Sequence, residues 1–511
     1  MNPDQRIEVM DTTLRDGEQT AGVSFNAGEK LTIAKLLLRE LRVNRIEVAS
    51  ARVSLGEKQA LTEICNWAAQ KGFLDSIEVL GLVDGNLSVD WISSCGCKVV
   101  NILCKGSLRH VTKQLRKTPQ EHLADIIQVI DYAHSKGMTV NVYLEDWSNG
   151  MIDSRDYVAF LMDGLKDRGV KRFMLPDTLG ILNPDQTYEY CRWMLDNYPG
   201  IHFDFHGHND YDLAVANTYA AIKAGFQGIH ATVNGLGERT GNAPISSLVA
   251  IMNDHLHVEN TLDEGALMHV CRYVESISGM RIPSNKPLIG ESVFTQSSGV
   301  HADGDNKDRL YMNDLLPERF GRVRRYALGK TSGKANIREN LKELGINLTE
   351  DQIKAVTQRV VELGDKKQDV SPEDLPFIIA DVLKGGHDPA EDKIHIVNYS
   401  LQLARGMRPV AVVKIQIYGK EYEDSSAGDG QYDAFMKALW KIYDSLGKPH
   451  PVLVDYQVTI PPGGRTDALV AASITWNFQG SEFKTRGIDS DQTEAAIKAT
   501  LKMLNIVETK I

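Results

Sequence analysis

The chain has 511 residues, of which 42% are hydrophobic and 24% charged, and its formal net charge is -11. This composition is near the average of globular proteins and excludes wholesale disorder, collagen and coiled coil, while the length predicts two to four folding units. The negative charge argues against nucleic-acid and anionic-membrane partners. The first ten residues lack a leader pattern and no apolar run reaches membrane-spanning length, so we expect a cytoplasmic protein.

Eight short β-branched or apolar runs alternate with amphipathic stretches, such as 29–41 and 121–137, that have helical spacing. Strands that alternate with helices predict parallel β-α units. Eight units in roughly 250 residues fit a (β/α)8 TIM barrel better than an open doubly wound sheet. The predicted strands are 6–10, 45–50, 76–83, 99–104, 139–145, 171–176, 201–207 and 228–234.

Polar residues follow the ends of most of these predicted strands. The carboxyl ends of the strands form the functional face of such a barrel, so we expect these side chains around one mouth. They include Asp11, Arg15, Asp16 and Glu18 at strand one, Tyr143 and Glu145 at strand five, and Asp177 and Thr178 at strand six.

The stretch DFHGHND, residues 204–210, places two histidines one residue apart. On a strand, His206 and His208 point to the same face, which suits two metal ligands, although an acid/base pair or a polar strand end would have the same pattern. A carboxylate such as Asp16 completes a two-histidine, one-carboxylate site for a divalent metal.

The glycine-rich stretch GLGERTGN, residues 235–242, has some likeness to a phosphate-binding loop. Its glycine spacing and its place after the last strand do not match the dinucleotide fingerprint. We therefore predict a tight loop that brings Glu238, Arg239 and Asn242 to the mouth. The six cysteines are scattered and are predicted to be structural, and Cys95 and Cys97 flank a predicted tight turn rather than a metal site.

Four motifs in this order, DTTLRDGEQ, HGHND, GLGERTGN and FTQSSGVHADG, resemble the family of isopropylmalate, homocitrate and citramalate synthases, which condense acetyl-CoA with a 2-oxo acid. The resemblance covers essentially the whole chain. It implies a divalent metal (Mn²⁺, Mg²⁺, Zn²⁺ or Co²⁺) at Asp16, His206 and His208, with Asn242 close by. It also implies roles in catalysis for Arg15, Glu145 and His301, 2-oxo acid binding by Arg15 and Thr178, and acetyl-CoA binding by Asp303, Tyr311 and Asn313.

Within this family, motifs such as NVYLEDWSNG and LPDTLGIL are most similar to the (R)-citramalate-forming members, which use pyruvate. Leu80, Leu103 and Tyr143 match positions of the acceptor pocket. These three side chains are bulky, so they favour the methyl group of pyruvate over a branched side chain, and they supply no cation for a second carboxylate. Ordinary packing at the barrel rim remains the alternative for the three residues.

Over the whole chain we predict four domains: a catalytic barrel at 1–270, a lid-like subdomain at 271–325, a helical linker at 326–390 and an α+β domain at 391–511. The best linker is 384–393. By resemblance the last domain is regulatory, binds isoleucine and belongs to a homodimer. The matching effector positions are Tyr432, Asp433, Leu453, Tyr456, Ile460, Val470 and Gln492.

Three alternatives remain at this stage. The first is a 2-isopropylmalate synthase that takes 2-oxoisovalerate. The second is a carbon-carbon lyase of the 3-hydroxy-3-methylglutaryl-CoA type, whose glycine-rich loop carries a cysteine that GLGERTGN lacks. The third is a non-catalytic amino-acid sensor, against which the intact set of polar residues argues.

Overall fold

The computed structural model describes residues 6–365, 370, 372–384, 393–459 and 470–510. It divides the chain into two compact units, Met1–Phe294 with Met312–Arg324, and Thr295–Tyr311 with Arg325–Ile511. In the described residues, no helix is both long and apolar enough to cross a membrane.

The first unit contains a closed barrel of eight parallel strands in sequence order, which lies wholly within described residues. The (β/α)8 prediction is confirmed, and strands β2 and β5 have the predicted bounds. The others differ by one to three residues at one or both ends, and the largest difference is at β8, which ends at Ala231 rather than at residue 234. The strands are β1 Glu8–Asp11, β2 Arg45–Ser50, β3 Ile77–Leu82, β4 Val99–Lys105, β5 Thr139–Glu145, β6 Arg172–Asp177, β7 Phe203–Gly207 and β8 Gly228–Ala231.

Helices follow the strands, and four of them begin at a side-chain cap, from Asn26, Ser54, Thr118 and Asn183. At the start of α4 (Pro119–Ser135), the side chain of Thr118 accepts a hydrogen bond from the N–H of Glu121, and the side chain of Glu121 accepts one from the N–H of Thr118. Pro119 is the first residue of the helix. The predicted helix at 29–41 is α-helical only to Lys35 and continues as a π-type segment, Leu36–Glu40. The α-helices of this unit are α1 Ala27–Lys35, α2 Leu55–Lys71, α3 Leu87–Ser94, α4 Pro119–Ser135, α5 Trp147–Asp153, α6 Arg155–Leu165, α7 Pro184–Asn197, α8 Ala214–Ala224, α9 Ile245–Ile251 and α10 Leu267–Ser278.

The two faces of each barrel strand have different chemistry. On β7, Phe203 and Phe205 are buried in the apolar core between sheet and helices, whereas Asp204 and His206 alternate with them and are buried among polar partners. The barrel interior therefore carries a polar network, and its upper end forms the candidate site.

The second unit begins with the short paired strands β9 and β10 and four helices, of which the last three share an apolar core. Two three-stranded antiparallel sheets, β11-β12-β13 and β14-β15-β16, follow with α15 and α16. Their bounds are β9 Thr295–Gln296, α11 Gly299–Asp308, β10 Arg325–Tyr326, α12 Lys334–Glu343, α13 Glu350–Asp365, α14 Leu375–Lys384, β11 Ile394–Gln402, β12 Val410–Ile417, β13 Lys420–Ala427, α15 Gln431–Ser445, β14 Val452–Thr459, β15 Val470–Phe478, β16 Ser481–Asp489 and α16 Gln492–Lys510.

This unit confirms the predicted helical segments and the α+β domain. The run RPVAVVKIQIYGKEY, predicted as strand, contains β12 and the first three residues of β13, and the two strands pair in a hairpin that turns at Gly419, where φ is 79°. Strands β11 and β16 were not predicted, because most of their exposed residues are polar or charged. The boundaries between the four predicted domains stay a prediction, and most of the predicted linker 384–393 lies outside the described residues.

Candidate active site

Asp16, His206 and His208 converge at the carboxyl end of the barrel strands. Oδ2 of Asp16 lies 3.3 Å from Nε2 of His206 and 3.8 Å from Nε2 of His208, and the two Nε2 atoms are 3.3 Å apart. One ligand atom from each residue lies within 4.8 Å of the others. Ligands about 2.0–2.2 Å from one ion have separations of this order. Among the described residues no other such cluster of three was found.

Local backbone geometry explains how the three side chains meet. His206 is on β7, and His208 lies one residue past its end with the same orientation. Asp16 lies in the tight turn after β1, where the carbonyl oxygen of Thr12 accepts from the N–H groups of Arg15, Asp16 and Gly17. The turn directs the Asp16 carboxylate towards both histidines.

The protonation states of this cluster suit a cation. Burial, together with the neighbouring His206, lowers the pKa of His208 to about 4, and burial also lowers the pKa of His206. Burial acts to raise the pKa of Asp16, but the Arg15 guanidinium and His206 hold it well below its usual range. At neutral pH the site therefore offers two neutral imidazoles and one carboxylate.

Buried polar atoms without partners indicate that the cluster fits a metal ion. Oδ1 of Asp16 and Oδ1 of Asn242 are buried and have no hydrogen-bond partner among the described residues. Asn242 pairs with His208 in an isolated β-bridge, and its amide Nδ2 donates to the carbonyl of Leu236 at 3.1 Å. Unsatisfied buried oxygens are costly, and a cation would pair with them. Imidazole and oxygen donors suit Mn²⁺, Zn²⁺ or Co²⁺, and the oxygens also suit Mg²⁺.

Arg15 is fixed beside this cluster by two carboxylates. Its Nε and Nη2 atoms lie 2.6 Å from Oε2 of Glu47, and Nη1 lies 3.0 Å from Oδ2 of Asp16. Burial alone would lower the pKa of Arg15, but Glu47 and Asp16 raise it, so the guanidinium stays charged. The Tyr143 hydroxyl lies 3.5 Å from Nη2. The site thus contains a fixed positive charge next to the candidate metal ligands.

The three predicted pocket residues lie together inside the barrel. Leu80 and Tyr143 are buried in one apolar cluster with Met10 and Met174, and Leu103 packs against it. The Tyr143 ring meets the His206 ring edge to face, at a centroid distance of 6.3 Å. An apolar wall therefore lies directly beside the candidate metal ligands.

Glu145 and Thr178 are held by contacts at the carboxyl ends of β4, β5 and β6. Glu145 forms an ion pair with Lys105, the last residue of β4, so the positive charge of the Lys105 amine is already neutralised. The Thr178 hydroxyl accepts from the N–H of Asp146 at 2.9 Å. These contacts fix both side chains at the mouth, and their predicted roles stay predictions.

The glycine-rich loop closes over this end of the barrel as predicted. A side chain at Gly241 would meet the carbonyl oxygen of Gly235 at 1.9 Å, and Gly241 has a φ of 88°, so glycine is required there. Arg239 donates to both carboxylate oxygens of Asp210 and, at 2.7 Å, to the carbonyl of Thr178. The loop is thereby joined to the ends of β6 and β7, whereas Glu238 is exposed and pairs only with Arg239 among described contacts.

The residues predicted for the base and for acetyl-CoA are exposed. His301 and Asp303 lie on α11 of the second unit, and the His301 ring stacks on that of Tyr311 at 4.2 Å. Asn313 belongs to the first unit and accepts from the N–H of Leu315. Their predicted roles stay predictions.

The predicted effector residues lie in the second unit, where only some are in contact. The rings of Tyr432 and Tyr456 are 5.4 Å apart, and the Tyr432 hydroxyl is 2.7 Å from that of Thr500. Asp433 pairs with Lys437. Of the remaining residues, Val470 is buried, Leu453 and Gln492 are exposed, and Ile460 lies outside the described residues.

Sequence reasoning missed a buried layer of polar residues below the site. Nη2 of Arg45 lies 2.6 Å from Oδ2 of Asp204, and Glu47 accepts from Thr12, Arg15 and Asn101. The Asp204 pKa, which burial acts to raise, is held well below its usual range by Arg45, and burial lowers the pKa of His230. The available signal was the alternation of polar with apolar residues on β2, at Arg45 and Glu47, and on β7, at Asp204 and His206, with His230 as the one polar residue of β8.

Comparison with known proteins identifies the class of fold. The family model described as HMGL-like matches residues 6–274, the homocitrate synthase post-HMGL domain-like model matches 288–368, and the LeuA allosteric (dimerisation) domain matches 369–508. The molecule is therefore an HMGL-like barrel followed by a LeuA-type C-terminal domain.

Relatives place the chain within that class. It is 33% identical to the putative (R)-citramalate synthase CimA of Methanopyrus kandleri, over 93% of this chain and 90% of that protein. It is also 33% identical to the probable 2-isopropylmalate synthase of the same organism, over 98% of both chains. The (R)-citramalate synthase CimA of Methanocaldococcus jannaschii is 30% identical over 98% of this chain and 99% of that protein. This chain belongs to the citramalate and isopropylmalate synthase family of acyltransferase-type condensing enzymes.

Proposed function

We propose that the protein condenses acetyl-CoA with pyruvate and water, giving (R)-citramalate and free CoA for isoleucine biosynthesis. Two similar proteins carry the name (R)-citramalate synthase, one of them marked putative. Their names alone do not separate pyruvate from other 2-oxo acids, because a similar protein is named a probable 2-isopropylmalate synthase.

The observation that carries the proposal is the apolar wall beside Arg15 and the metal cluster. Leu80 and Tyr143 are almost completely buried against Met10 and Met174, and Leu103 closes the same cluster. A 2-oxo acid bound near Arg15 and His206 would direct its side chain at this wall. The methyl group of pyruvate needs little room there, whereas a branched side chain would have to displace one of these large residues.

The polar residues have complementary roles in this proposal. A divalent cation held by Asp16, His206 and His208, with Asn242 beside it, would polarise the ketone of the 2-oxo acid. Arg15 provides a fixed positive charge next to the oxygen that becomes negative, and its two carboxylate partners keep it in place.

The other predicted residues bind the substrates or transfer a proton. The Thr178 hydroxyl, which already accepts from the N–H of Asp146, would donate its proton to the carboxylate of the 2-oxo acid. The coenzyme would be bound by Asp303, Tyr311 and Asn313. Glu145 would belong to the catalytic network, and His301 would remove a proton from the methyl group of acetyl-CoA. A positioned base of this kind contributes ~100- to 10,000-fold in rate.

The second unit supports a regulatory role and a homodimer. Its match to a model described as an allosteric and dimerisation domain favours both. Val452, Val454 and Val458 of β14 are exposed, as expected of a strand that packs against a second copy. Isoleucine, as the end product, would bind near Tyr432 and Tyr456.

The test is the initial rate of CoA release with four 2-oxo acids at equal acetyl-CoA and Mn²⁺. We expect pyruvate to be fastest, 2-oxobutanoate slower, and both 2-oxoisovalerate and 2-oxoglutarate close to background. Faster turnover of 2-oxoisovalerate than of pyruvate would show a 2-isopropylmalate synthase instead, which is the second candidate that the relatives favour.

A further inference from the structure

His230, near the end of β8, joins two parts of the barrel interior. Its Nε2 lies 3.1 Å from Oδ2 of Asp204, and its Nδ1 lies 3.1 Å from the hydroxyl oxygen of Tyr143. The imidazole is buried, and its ring meets the Tyr143 ring at 78° with centroids 5.6 Å apart. Each ring nitrogen therefore has a hydrogen-bond partner, Asp204 for Nε2 and Tyr143 for Nδ1.

The partners of Asp204 fix the tautomer of this imidazole. Oδ2 of Asp204 accepts from Nη2 of Arg45 at 2.6 Å, and Oδ1 lies 2.9 Å from Nε2 of His202. A carboxylate so close to a guanidinium is an acceptor, so Nε2 of His230 carries the proton. In a neutral imidazole Nδ1 then holds a lone pair, and the Tyr143 hydroxyl must donate to it.

The direction of this hydrogen bond determines how Tyr143 faces the site. The phenol has one proton, and the 3.1 Å contact to His230 is shorter than the 3.4 Å contact to Oε2 of Glu47. With the proton directed at His230, the lone pairs of the phenol oxygen are free for Nη2 of Arg15, 3.5 Å away. Asp204, His230, Tyr143 and Arg15 therefore form one chain of donors and acceptors.

We infer that His230 is a positioning residue for the acceptor site. With its tautomer set by Asp204, it holds Tyr143 so that the ring closes the apolar wall and the phenol oxygen faces Arg15. The substrate class it serves is a small 2-oxo acid. The inference rests on the proposed function only in taking Arg15 and Tyr143 as parts of that site.

The tautomer can be read without any substrate. Long-range ¹H–¹⁵N correlation spectra of protein with ¹⁵N-labelled histidine distinguish a protonated from an unprotonated ring nitrogen. The His230 signals, assigned by their loss in His230→Asn, should show the proton on Nε2, and Tyr143→Phe should shift the Nδ1 signal. A proton on Nδ1, or no shift in Tyr143→Phe, would overturn the inference.

Kinetics test whether His230 acts through the Tyr143 hydroxyl. His230→Gln extends its amide towards Asp204 and gives up the contact with Tyr143, whereas His230→Asn keeps an acceptor near the Nδ1 position. We expect kcat/KM to fall about tenfold in His230→Gln and in Tyr143→Phe, the effect of one buried hydrogen bond. The double variant should be no worse than either single one, and His230→Asn should stay within about threefold of the wild type.

An independent packing role would give a different result. Losses that multiply to about a hundredfold in the double variant would contradict the inference, as would a His230→Asn variant as slow as His230→Gln. His269→Gln, at an exposed histidine of α10, is the control and should change kcat/KM less than about twofold. The double-mutant cycle is measured with whichever 2-oxo acid turns over fastest. Its result can therefore be interpreted even if pyruvate is not the preferred substrate.

Discussion

The amine of Lys30, on α1, lies 2.5 Å from Oε1 of Glu57, on α2, although Lys30 is fully buried. The same amine lies 2.6 Å from Oε2 of Glu18 and donates to the carbonyl of Leu14 at 3.1 Å. Leu14 and Glu18 flank Arg15 and Asp16. One buried cation thus ties the turn that carries two site residues to the helices behind it.

Replacing this cation should cost stability. Lys30→Met leaves two carboxylates without their partner, and we expect the free energy of unfolding in urea to fall by ~3 kcal/mol. The loosened turn should also weaken Mn²⁺ binding. Lys71→Met, at an exposed lysine of α2, is the control and should change stability by less than ~0.5 kcal/mol. An unchanged unfolding free energy in Lys30→Met would contradict this account of the turn.

Removing the metal should abolish turnover. We expect CoA release to vanish after treatment with EDTA and to return with Mn²⁺, because the ketone then loses its polarising cation. Asp16→Asn should lower Mn²⁺ affinity at least about a hundredfold, measured by calorimetry. Asp163→Asn, at an exposed ion pair on α6, should bind Mn²⁺ normally. Full activity in metal-free protein is the result that would rule out the site.

Asp11 gives a pH-dependent prediction. Burial raises the pKa of Asp11 from 3.8 to about 7, although the N–H of Thr13 donates to it. The folded chain therefore keeps a proton that the unfolded chain loses above pH ~4, so Asp11 lowers stability as pH rises from ~4 to ~7.

Asp11→Asn removes this loss of stability, because the amide does not ionise. At pH 8 it should raise the free energy of unfolding by ~2–4 kcal/mol, and at pH 4 it should change it little. Chemical denaturation at both values checks the prediction. The control Asp75→Asn, at an exposed aspartate, should show no such difference between the two pH values. Equal effects of Asp11→Asn at pH 4 and pH 8 would refute it.

Enlarging the pocket should relax the choice of acceptor. In Leu103→Ala we expect the ratio of kcat/KM for 2-oxoisovalerate to that for pyruvate to rise at least about tenfold, since each methylene is worth ~1–3 kcal/mol. Leu87→Ala, at an exposed leucine of α3, should leave the ratio unchanged. If Leu103→Ala also left it unchanged, Leu103 would be ordinary packing at the rim.

Feedback should depend on the tyrosine pair of the second unit. We expect isoleucine to bind the wild type and Tyr456→Ala to weaken that binding at least about tenfold, with little change in CoA release when isoleucine is absent. Calorimetry and inhibition curves measure both quantities. Tyr418→Ala, at an exposed tyrosine of the same unit, should keep normal binding. Normal inhibition in Tyr456→Ala would move the effector site elsewhere.

The sequence predicted the barrel and the metal cluster because both depend on local periodicity. His206 and His208 share a strand face, and a barrel brings the turn after β1 close to the end of β7, so Asp16 could be named as a possible third ligand, which the family resemblance then favoured. Long-range side-chain pairing could not be predicted in this way. Arg45 meets Asp204 because the closed barrel brings β2 and β7 close together, with only β1 and β8 between them.

The same limit applies to His230 and Glu47. Their polar character was visible in the sequence, but their partners are distant along the chain. Strands β11 and β16 were missed for another reason, since most of their exposed residues are polar and the alternation is weak.

The most direct test of the central claim is the identity of the product. Protein loaded with Mn²⁺ is incubated with acetyl-CoA and pyruvate, and the product is analysed by chiral chromatography with mass spectrometry. We expect (R)-citramalate, one molecule for each CoA released. CoA release without citramalate, or a product only when 2-oxoisovalerate replaces pyruvate, would contradict the account.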